Sequence, residues 1–230
     1  MKRLAVFICL LALVSGSIVT PAFAIVDIGD PRVTRLWSMT DEGTRFTCSA
    51  TWIRPAREGV SWLLSAGHCA ISNIVRREVT GTFMSRINWR VVITSHRYAG
   101  RELDIAIGTA PDTRNVPQFH SFFASEFPKE GTLLYIHGVP EGVESVVVAH
   151  VVGPSKDAPG TMEVSVEPGS IRGGSSGSVV LDSAGFIVGV LWGIERGPSG
   201  EYTPTALVTP IEAFNDIIKL IDAKVAGDGE

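Results

Sequence analysis

Histidine and cysteine are scarce in this chain of 230 residues, which has five of the first and three of the second. Four of the histidines, His96, His120, His137 and His150, have no close spacing that would let them share a metal ion. The H-E-x-x-H pattern of many zinc hydrolases is also absent. We therefore expect no metal site and no other cofactor.

Basic residues are not in excess either. The chain has 20 Lys and Arg against 24 Asp and Glu, a formal net charge of −4 at pH 7. A nucleic-acid-binding protein usually carries a strongly basic face. We expect no nucleic-acid partner.

Long apolar runs are lacking after the N-terminus. Residues 4–14 are apolar, follow Lys2 and Arg3, and precede Ala22-Phe23-Ala24. This order is typical of a cleaved signal peptide, and the run is too short to span a bilayer. We interpret residues 1–24 as a signal peptide, with a retained anchor as the alternative. The mature protein would then be secreted or periplasmic, without a stable membrane anchor, and more acidic.

Two cysteines, Cys48 and Cys69, lie outside that segment. An even pair in an exported protein predicts one disulfide bond, because such compartments are oxidising. Two free thiols are the alternative.

Short strand-like runs recur along the mature chain and are divided by Gly, Pro, Asn and Asp. Their density favours an all-β sandwich or barrel. The predicted strands are residues 45–53, 61–65, 86–95, 104–107, 132–136, 145–152, 161–166, 178–181, 186–192 and 205–208.

Only the end of the chain has helical spacing. Thr209 is a suitable N-cap, and Pro210 suits the first helical position. The apolar residues that follow at helical intervals are Ile211, Phe214, Ile217, Ile218 and Ile221.

A loop rich in Gly and Ser opens the stretch 169–193, and two apolar strands joined by a short turn follow it. Gly174 and Gly177 flank Ser175 and Ser176 in this loop. Glycine allows backbone conformations that can display a serine hydroxyl beside backbone N–H groups. A flexible connector is the alternative interpretation.

A histidine and an aspartate earlier in the chain could activate such a serine. His68 lies in L-S-A-G-H-C, and Asp104 begins the apolar run of L-D-I-A-I. A serine is a poor nucleophile until a base takes its proton, and the base works best when a buried carboxylate orients it. The order His68, Asp104, Ser176 therefore suggests a serine hydrolase.

These three segments resemble the chymotrypsin-like (trypsin-fold) serine proteases, especially the bacterial-type trypsin-like peptidases. L-S-A-G-H-C resembles the family's histidine box, L-D-I-A-I its aspartate box, and G-S-S-G-S with the following strands its serine box. Cys48 and Cys69 match the disulfide around the histidine. The resemblance implies an exported serine endopeptidase that hydrolyses protein or peptide substrates through an acyl-enzyme, and we expect a monomer.

The resemblance also implies the architecture. It predicts two six-stranded antiparallel barrels with the active site in the cleft between them, and a C-terminal helix. Residues 25–118 would form the N-terminal barrel, with His68 and Asp104. Residues 119–230 would form the C-terminal barrel, with Ser176, and the helix.

A role follows for each site residue by the same resemblance. The catalytic residues would be His68, Asp104 and Ser176, and the N–H groups of Gly174 and Ser176 would form the oxyanion hole. The substrate-binding residues, a strand edge and a pocket floor, would be Leu191, Trp192, Gly193, Ser170 and Thr203.

The chain departs from the family in ways that affect function. Leu191 stands where relatives often have a serine that supports the aspartate. Ser175 replaces the aspartate that pairs with a new N-terminus in digestive relatives, so we expect that exposure of Ile25 is not an activation switch. The predicted pocket floor has no acidic residue, so we expect no strong preference for Arg or Lys, although Glu195 or Glu201 could reach the rim.

Two other classes compete with this interpretation. G-G-S-S-G also fits the nucleophile elbow of α/β-hydrolases. That fold needs its histidine after the serine, and no histidine follows His150. An inactive binding protein with the protease fold remains the alternative.

Overall fold

The computed structural model describes residues within one compact unit, 31–230. The described residues are 33–40, 42–57, 60–70, 74–80, 87–88, 90–95, 103–111, 122–213, 215–216 and 218–219. The predicted signal peptide and Ile25 lie outside these residues.

Seven antiparallel strands form the first sheet. They are β1 (Val33–Thr40), β2 (Arg45–Arg57), β3 (Val60–Ser65), β4 (Ile74–Thr80), β5 (Ile87–Asn88), β6 (Arg90–Ser95) and β7 (Ile105–Pro111). They pair in the order β5-β4-β1-β2-β3-β7-β6. The edge strands β5 and β6 are separated in sequence by a single residue, so the sheet bends back until its two edges lie close together. Counted over the described residues, the sheet thus has seven strands where six are expected, and its complete closure stays a prediction.

Six antiparallel strands form the second sheet. They are β8 (Leu133–Gly138), β9 (Ser145–Pro154), β10 (Met162–Val166), β11 (Val179–Leu181), β12 (Ile187–Arg196) and β13 (Tyr202–Pro210). They close into a barrel in the order β10-β13-β12-β11-β8-β9. The prediction of a six-stranded barrel in this half is confirmed.

Strand β11 is apolar throughout because both of its faces are buried. Val180 packs into the core of the second barrel. Val179 and Leu181 point the other way, into an apolar cluster that also contains Leu64 and Ile107 of the first sheet. Each such buried side chain contributes about 1.5–3 kcal/mol relative to exposure. This shared cluster therefore joins the two sheets and determines where the cleft between them lies.

The predicted C-terminal helix does not begin at the residues that the sequence suggested. Thr209 and Pro210 do not begin a helix, because they are the last residues of β13 and pair with β12. Sheet pairing here outweighs the local preference for a helix cap. A 3₁₀ turn, Ile211–Ala213, follows, and residues 215–216 and 218–219 are helical. The rest of the predicted C-terminal helix lies outside the described residues, so this helix stays a prediction.

Among the residues that the structure describes, no helix has the length and apolarity that a membrane span requires.

One disulfide bond joins Cys48 and Cys69, as predicted. Their Cα atoms are 6.3 Å apart, and the cysteines are separated by 21 positions in the sequence. The bond attaches β2 to a 3₁₀ turn, Gly67–Ala70, that carries His68. It therefore limits the movement of that turn relative to the first sheet.

We expect this disulfide to stabilise the fold by about 3 kcal/mol, because it closes a loop of roughly 20 residues in the unfolded chain. Reduction should lower the melting temperature, measured by calorimetry. Non-reducing mass spectrometry should find neither cysteine free. The double variant Cys48→Ala, Cys69→Ala is the control, since a reductant should not lower its melting temperature further. Complete alkylation of both cysteines in native protein would contradict the prediction.

Candidate active site

The turn that carries His68 is held on both sides. Its chain folds tightly, with the Cys69 N–H donating to the Ala66 carbonyl at 3.1 Å. The disulfide holds the same turn against β2. The His68 side chain is nevertheless 31 % exposed, so one edge of the ring is open to solvent.

Asp104 lies immediately before β7 and is only 8 % exposed. Its Oδ2 is 2.6 Å from His68 Nδ1, and its Oδ1 accepts the His68 backbone N–H at 2.7 Å. An ionised carboxylate can only accept hydrogen bonds, so Nδ1 carries the proton in this pair. His68 Nε2 is then left with a lone pair and can act as a base.

Both carboxylate oxygens of Asp104 thus take a hydrogen bond from the same histidine. Leu191, which stands where relatives often have a serine, has no hydroxyl to supply the second bond. The His68 backbone N–H supplies it instead. The second barrel contributes as well, since the Thr209 hydroxyl donates to the Asp104 carbonyl at 3.3 Å.

The serine loop begins with a tight turn from Arg172 to Ser175. The Ser175 N–H donates to the Arg172 carbonyl at 3.0 Å, and Gly174, the third residue of the turn, has φ of 89°. A positive φ at this position is typical of a type II turn, which is why glycine is required there. The Ser175 hydroxyl also accepts the Arg172 N–H at 3.1 Å, so the turn is bonded twice within itself.

A second turn of the same kind follows directly, from Ser175 to Ser178. The Ser178 N–H donates to the Ser175 carbonyl at 2.9 Å, and Gly177 has φ of 85°. A Cβ atom on Gly177 would lie 2.0 Å from the carbonyl oxygen of Ser49 in the first sheet. Only glycine fits, both for its backbone conformation and for this close approach. Ser176 is consequently displayed at the corner of the turn.

The Ser176 hydroxyl faces the strand β12. It donates to the Trp192 carbonyl at 3.3 Å. Trp192 sits at an irregularity in the pairing of β12 with β13, between Leu191 and Gly193. Among the hydrogen bonds of the described residues there is none between Ser176 and His68, although both side chains line one cleft.

That cleft has a volume of about 300 Å³. Of the residues predicted from the sequence, it brings together the histidine, the serine loop and the strand edge: His68, Gly174, Ser176, Leu191, Trp192 and Gly193. Asp104 lies behind His68 and contacts it directly.

Ser170 and Thr203 are not among the lining residues of this cleft. The Ser170 hydroxyl donates to the Glu167 carbonyl at 2.6 Å, and Ser170 lines a separate groove. Thr203 donates to the Glu195 carbonyl at 3.2 Å. Both hydroxyls therefore serve local backbone bonds.

Sequence reasoning missed the cationic part of the cleft. Arg172 and Arg196 line it, together with Tyr202. The Arg196 guanidinium stacks on the Tyr202 ring at 4.6 Å and donates to the Tyr202 hydroxyl at 3.1 Å. Arg172 could have been noticed two residues before Gly174, but nothing local indicates that a hairpin brings Arg196 to the same place. None of the described residues that line the cleft is acidic.

Glu195 belongs to an acidic neighbourhood beside the cleft. Its pKa is raised, mainly by burial and further by the negative charges of Glu163 and Asp157. Glu195 and Glu201, the two acidic residues expected to reach the rim if any do, are not among the residues that line the cleft.

Cys48, His68 and Cys69 are close enough to suggest a metal site, since their potential ligand atoms lie within 4.8 Å of one another. The two sulfur atoms, however, are bonded to each other. A disulfide offers no thiolate, so this group is unsuitable for a metal ion.

No protein-family model matches the chain, and no curated protein is significantly similar to it in sequence. Solved structures are similar in fold. The active form of the Rv3671c protease from M. tuberculosis has a TM-score of 0.65 at 17 % identity, with 84 % of this chain and 82 % of that chain covered.

Two further structures are similar over most of this chain but over less than two thirds of their own length. The HtrA-type protease AlgW with a tripeptide has a TM-score of 0.65 at 19 % identity and covers 85 % of this chain and 62 % of that one. The serine endoprotease from Yersinia pestis has a TM-score of 0.62 at 14 % identity and covers 84 % and 63 %. The chain therefore has the trypsin-like serine protease fold.

Proposed function

We propose that the protein is an exported serine endopeptidase. The observation that carries this proposal is the pair formed by His68 and Asp104, in which Nδ1 lies 2.6 Å from the carboxylate. The pairing leaves Nε2 available as a base in the cleft that also contains Ser176. A buried carboxylate, an oriented imidazole and a displayed serine are the groups that acyl transfer needs.

In the first half of the proposed reaction, the Ser176 hydroxyl turns from the Trp192 carbonyl toward His68. The present bond of 3.3 Å is long and weak, so little free energy opposes this rotation. Ser176 Oγ then bonds to the scissile carbonyl carbon while its proton moves to His68 Nε2. The C–N bond breaks, the proton passes to the leaving amine, and an ester of Ser176 remains.

In the second half, a water molecule gives a proton to His68 Nε2 and adds to the ester carbonyl. The bond to Ser176 Oγ breaks, Oγ takes the proton back, and a carboxylic acid leaves. Asp104 remains ionised throughout and stabilises the imidazolium that forms twice in each cycle.

The negative oxygen that forms at each addition needs donors. We assign them to the backbone N–H groups of Gly174 and Ser176, which lie in the two successive turns of the serine loop. Such donors contribute about 3–4 kcal/mol each, because they favour the charged intermediate over the neutral substrate. The turns are closed by hydrogen bonds of 3.0 and 2.9 Å, which supports a preformed arrangement.

Peptides are the proposed substrates. The fold is that of proteases, and AlgW is known with a tripeptide and with a decapeptide. The backbone of Leu191, Trp192 and Gly193 would pair with the substrate chain. Monomeric state and a secreted or periplasmic location remain predictions, and an inactive binding protein remains the alternative function.

The nucleophile can be tested with a matched pair of adjacent serines. Ser176→Ala should leave the fold intact and lower peptide hydrolysis by several orders of magnitude. Ser175→Ala removes only the bond to the Arg172 N–H, so its loss should be no more than about tenfold. A serine-reactive phosphonate should label wild-type protein at Ser176, located by mass spectrometry. Equal losses in the two variants, or absence of labelling, would contradict the proposal.

Substrate preference should reflect the two arginines of the cleft. A Lys or Arg side chain beside the cleaved bond would meet Arg172 and Arg196 and would find no carboxylate partner among the described lining residues. In a series of peptides that differ only at that residue, kcat/KM should be lowest for Lys and Arg and higher for aliphatic or acidic residues. Arg196→Gln should raise the ratio of Lys to Leu cleavage. A profile dominated by Lys and Arg would overturn this expectation.

Activation should not depend on the mature N-terminus. Ser175 is neutral and 5 % exposed, and it provides no charge to compensate a buried ammonium group. Protein that begins a few residues before Ile25 should therefore cleave a peptide at nearly the rate of protein that begins at Ile25. A hundredfold lower rate in the extended, folded protein would mean that Ile25 is a switch.

A further inference from the structure

Ser49 lies in β2, next to Cys48, and its side chain is fully buried between the two sheets. Its hydroxyl donates to the Gly174 carbonyl at 2.9 Å and accepts the Val139 N–H at 2.8 Å. Its backbone N–H donates to the Ser176 carbonyl at 2.7 Å. One residue of the first sheet is thus bonded to both residues to which the oxyanion hole is assigned.

The hydroxyl of Ser49 joins segments that are far apart in the sequence. Gly174 is 125 positions away from it, and Val139 is 90 positions away. These two segments also contact each other, because a Cβ atom on Gly174 would lie 3.2 Å from the Glu141 backbone nitrogen. The serine loop is therefore held against both the first sheet and the loop after β8.

The bond to the Gly174 carbonyl restricts the orientation of the serine loop. A peptide group is planar, so holding the Gly174 carbonyl also orients the Ser175 N–H that closes the first turn. If this plane rotated, the Ser175 N–H would leave the Arg172 carbonyl, and the turn that contains the Gly174 N–H would open. The Ser49 N–H donates to the Ser176 carbonyl, two residues further along the loop, and so restricts the orientation of that peptide group as well.

We propose that Ser49 is a positioning residue for the oxyanion hole: its hydroxyl holds the serine loop in the reactive conformation from the side of the first sheet. This inference rests on the proposed function. It gives a source of order for a loop in which Ser175, being neutral, offers no ion pair to a terminal ammonium group. Ser49 does not touch the substrate and does not take part in proton transfer.

The surroundings of Ser49 leave room for no larger group. A Cβ atom on Gly138 would lie 2.7 Å from the Ser49 hydroxyl. Substitution by a smaller residue is therefore the suitable test, because it removes the hydroxyl without overpacking. Ser49→Ala does this, and Ser49→Gly provides a second variant that leaves no methyl group against the loop.

Ser65 offers a matched control. It is also a fully buried serine of the first sheet, and its hydroxyl donates to the Ser49 backbone carbonyl at 2.7 Å. Ser65→Ala thus removes one buried hydrogen bond of similar length, whereas Ser49→Ala removes two, so both variants should lose stability and Ser65→Ala somewhat less. It leaves the bonds from Ser49 to Gly174 and Val139 in place.

The experiment measures kcat and KM for a peptide substrate, per active site titrated with a serine-reactive phosphonate. It also measures the inhibition constant of a peptide boronate, which mimics the tetrahedral intermediate. A single oxyanion donor is worth roughly 100- to 1000-fold in kcat. Because the loop keeps its other bonds, we expect Ser49→Ala and Ser49→Gly to lower kcat about 10- to 100-fold, to weaken boronate binding by a similar factor, and to change KM little.

The control separates positioning from stability. Ser65→Ala should also lower the melting temperature, but it should change kcat by less than about threefold. If Ser49→Ala and Ser65→Ala lose kcat equally per titrated site, or if boronate binding is unchanged in Ser49→Ala, the inference is wrong while the proposed function stands. If wild-type protein neither cleaves peptides nor reacts with the phosphonate, the proposed function fails and this role of Ser49 fails with it.

Discussion

The buried carboxylate of Asp104 is the constraint on which the site depends. At 8 % exposure it requires donors, because an unpaired carboxylate away from water is costly. It takes both from His68, one from the ring and one from the backbone. The same two bonds therefore satisfy the aspartate, select the ring tautomer and hold the turn that the Cys48–Cys69 disulfide attaches to β2.

The second half of the molecule reaches this pair through two kinds of contact. Apolar packing between Leu64, Ile107 and β11 brings the sheets together but is not directional. Hydrogen bonds from Ser49 to the serine loop supply the direction that packing lacks. The combination explains how two glycine-rich turns can hold Ser176 in the same cleft as His68.

Strand content was predictable because short strand-like runs divided by Gly, Pro, Asn and Asp are a local feature of the sequence. Each of the predicted strands overlaps an observed one, and the misses, β1 and β4, have physical reasons. In β1 the polar Thr34 shares the buried face with Leu36, which weakens the apolar pattern. In β4 three consecutive charged residues, Arg76, Arg77 and Glu78, conceal it. The helical signal at Thr209 was wrong because β12 offers that residue a pairing partner that no local pattern reveals.

For the candidate site, too, some features could be predicted from the sequence and others could not. Short motifs were sufficient to propose His68, Asp104 and Ser176 as catalytic residues and to predict the Cys48–Cys69 disulfide, because glycine turns, a carboxylate before an apolar strand and an even cysteine count are local or compositional features. Tertiary structure alone decided what surrounds them. Arg196 enters the cleft through a hairpin, Thr203 bonds to the neighbouring strand, and Ser49 contacts a loop 125 positions away. Such contacts depend on how the two sheets pack. The sequence around a hydroxyl in a strand does not indicate which distant group that hydroxyl will bind.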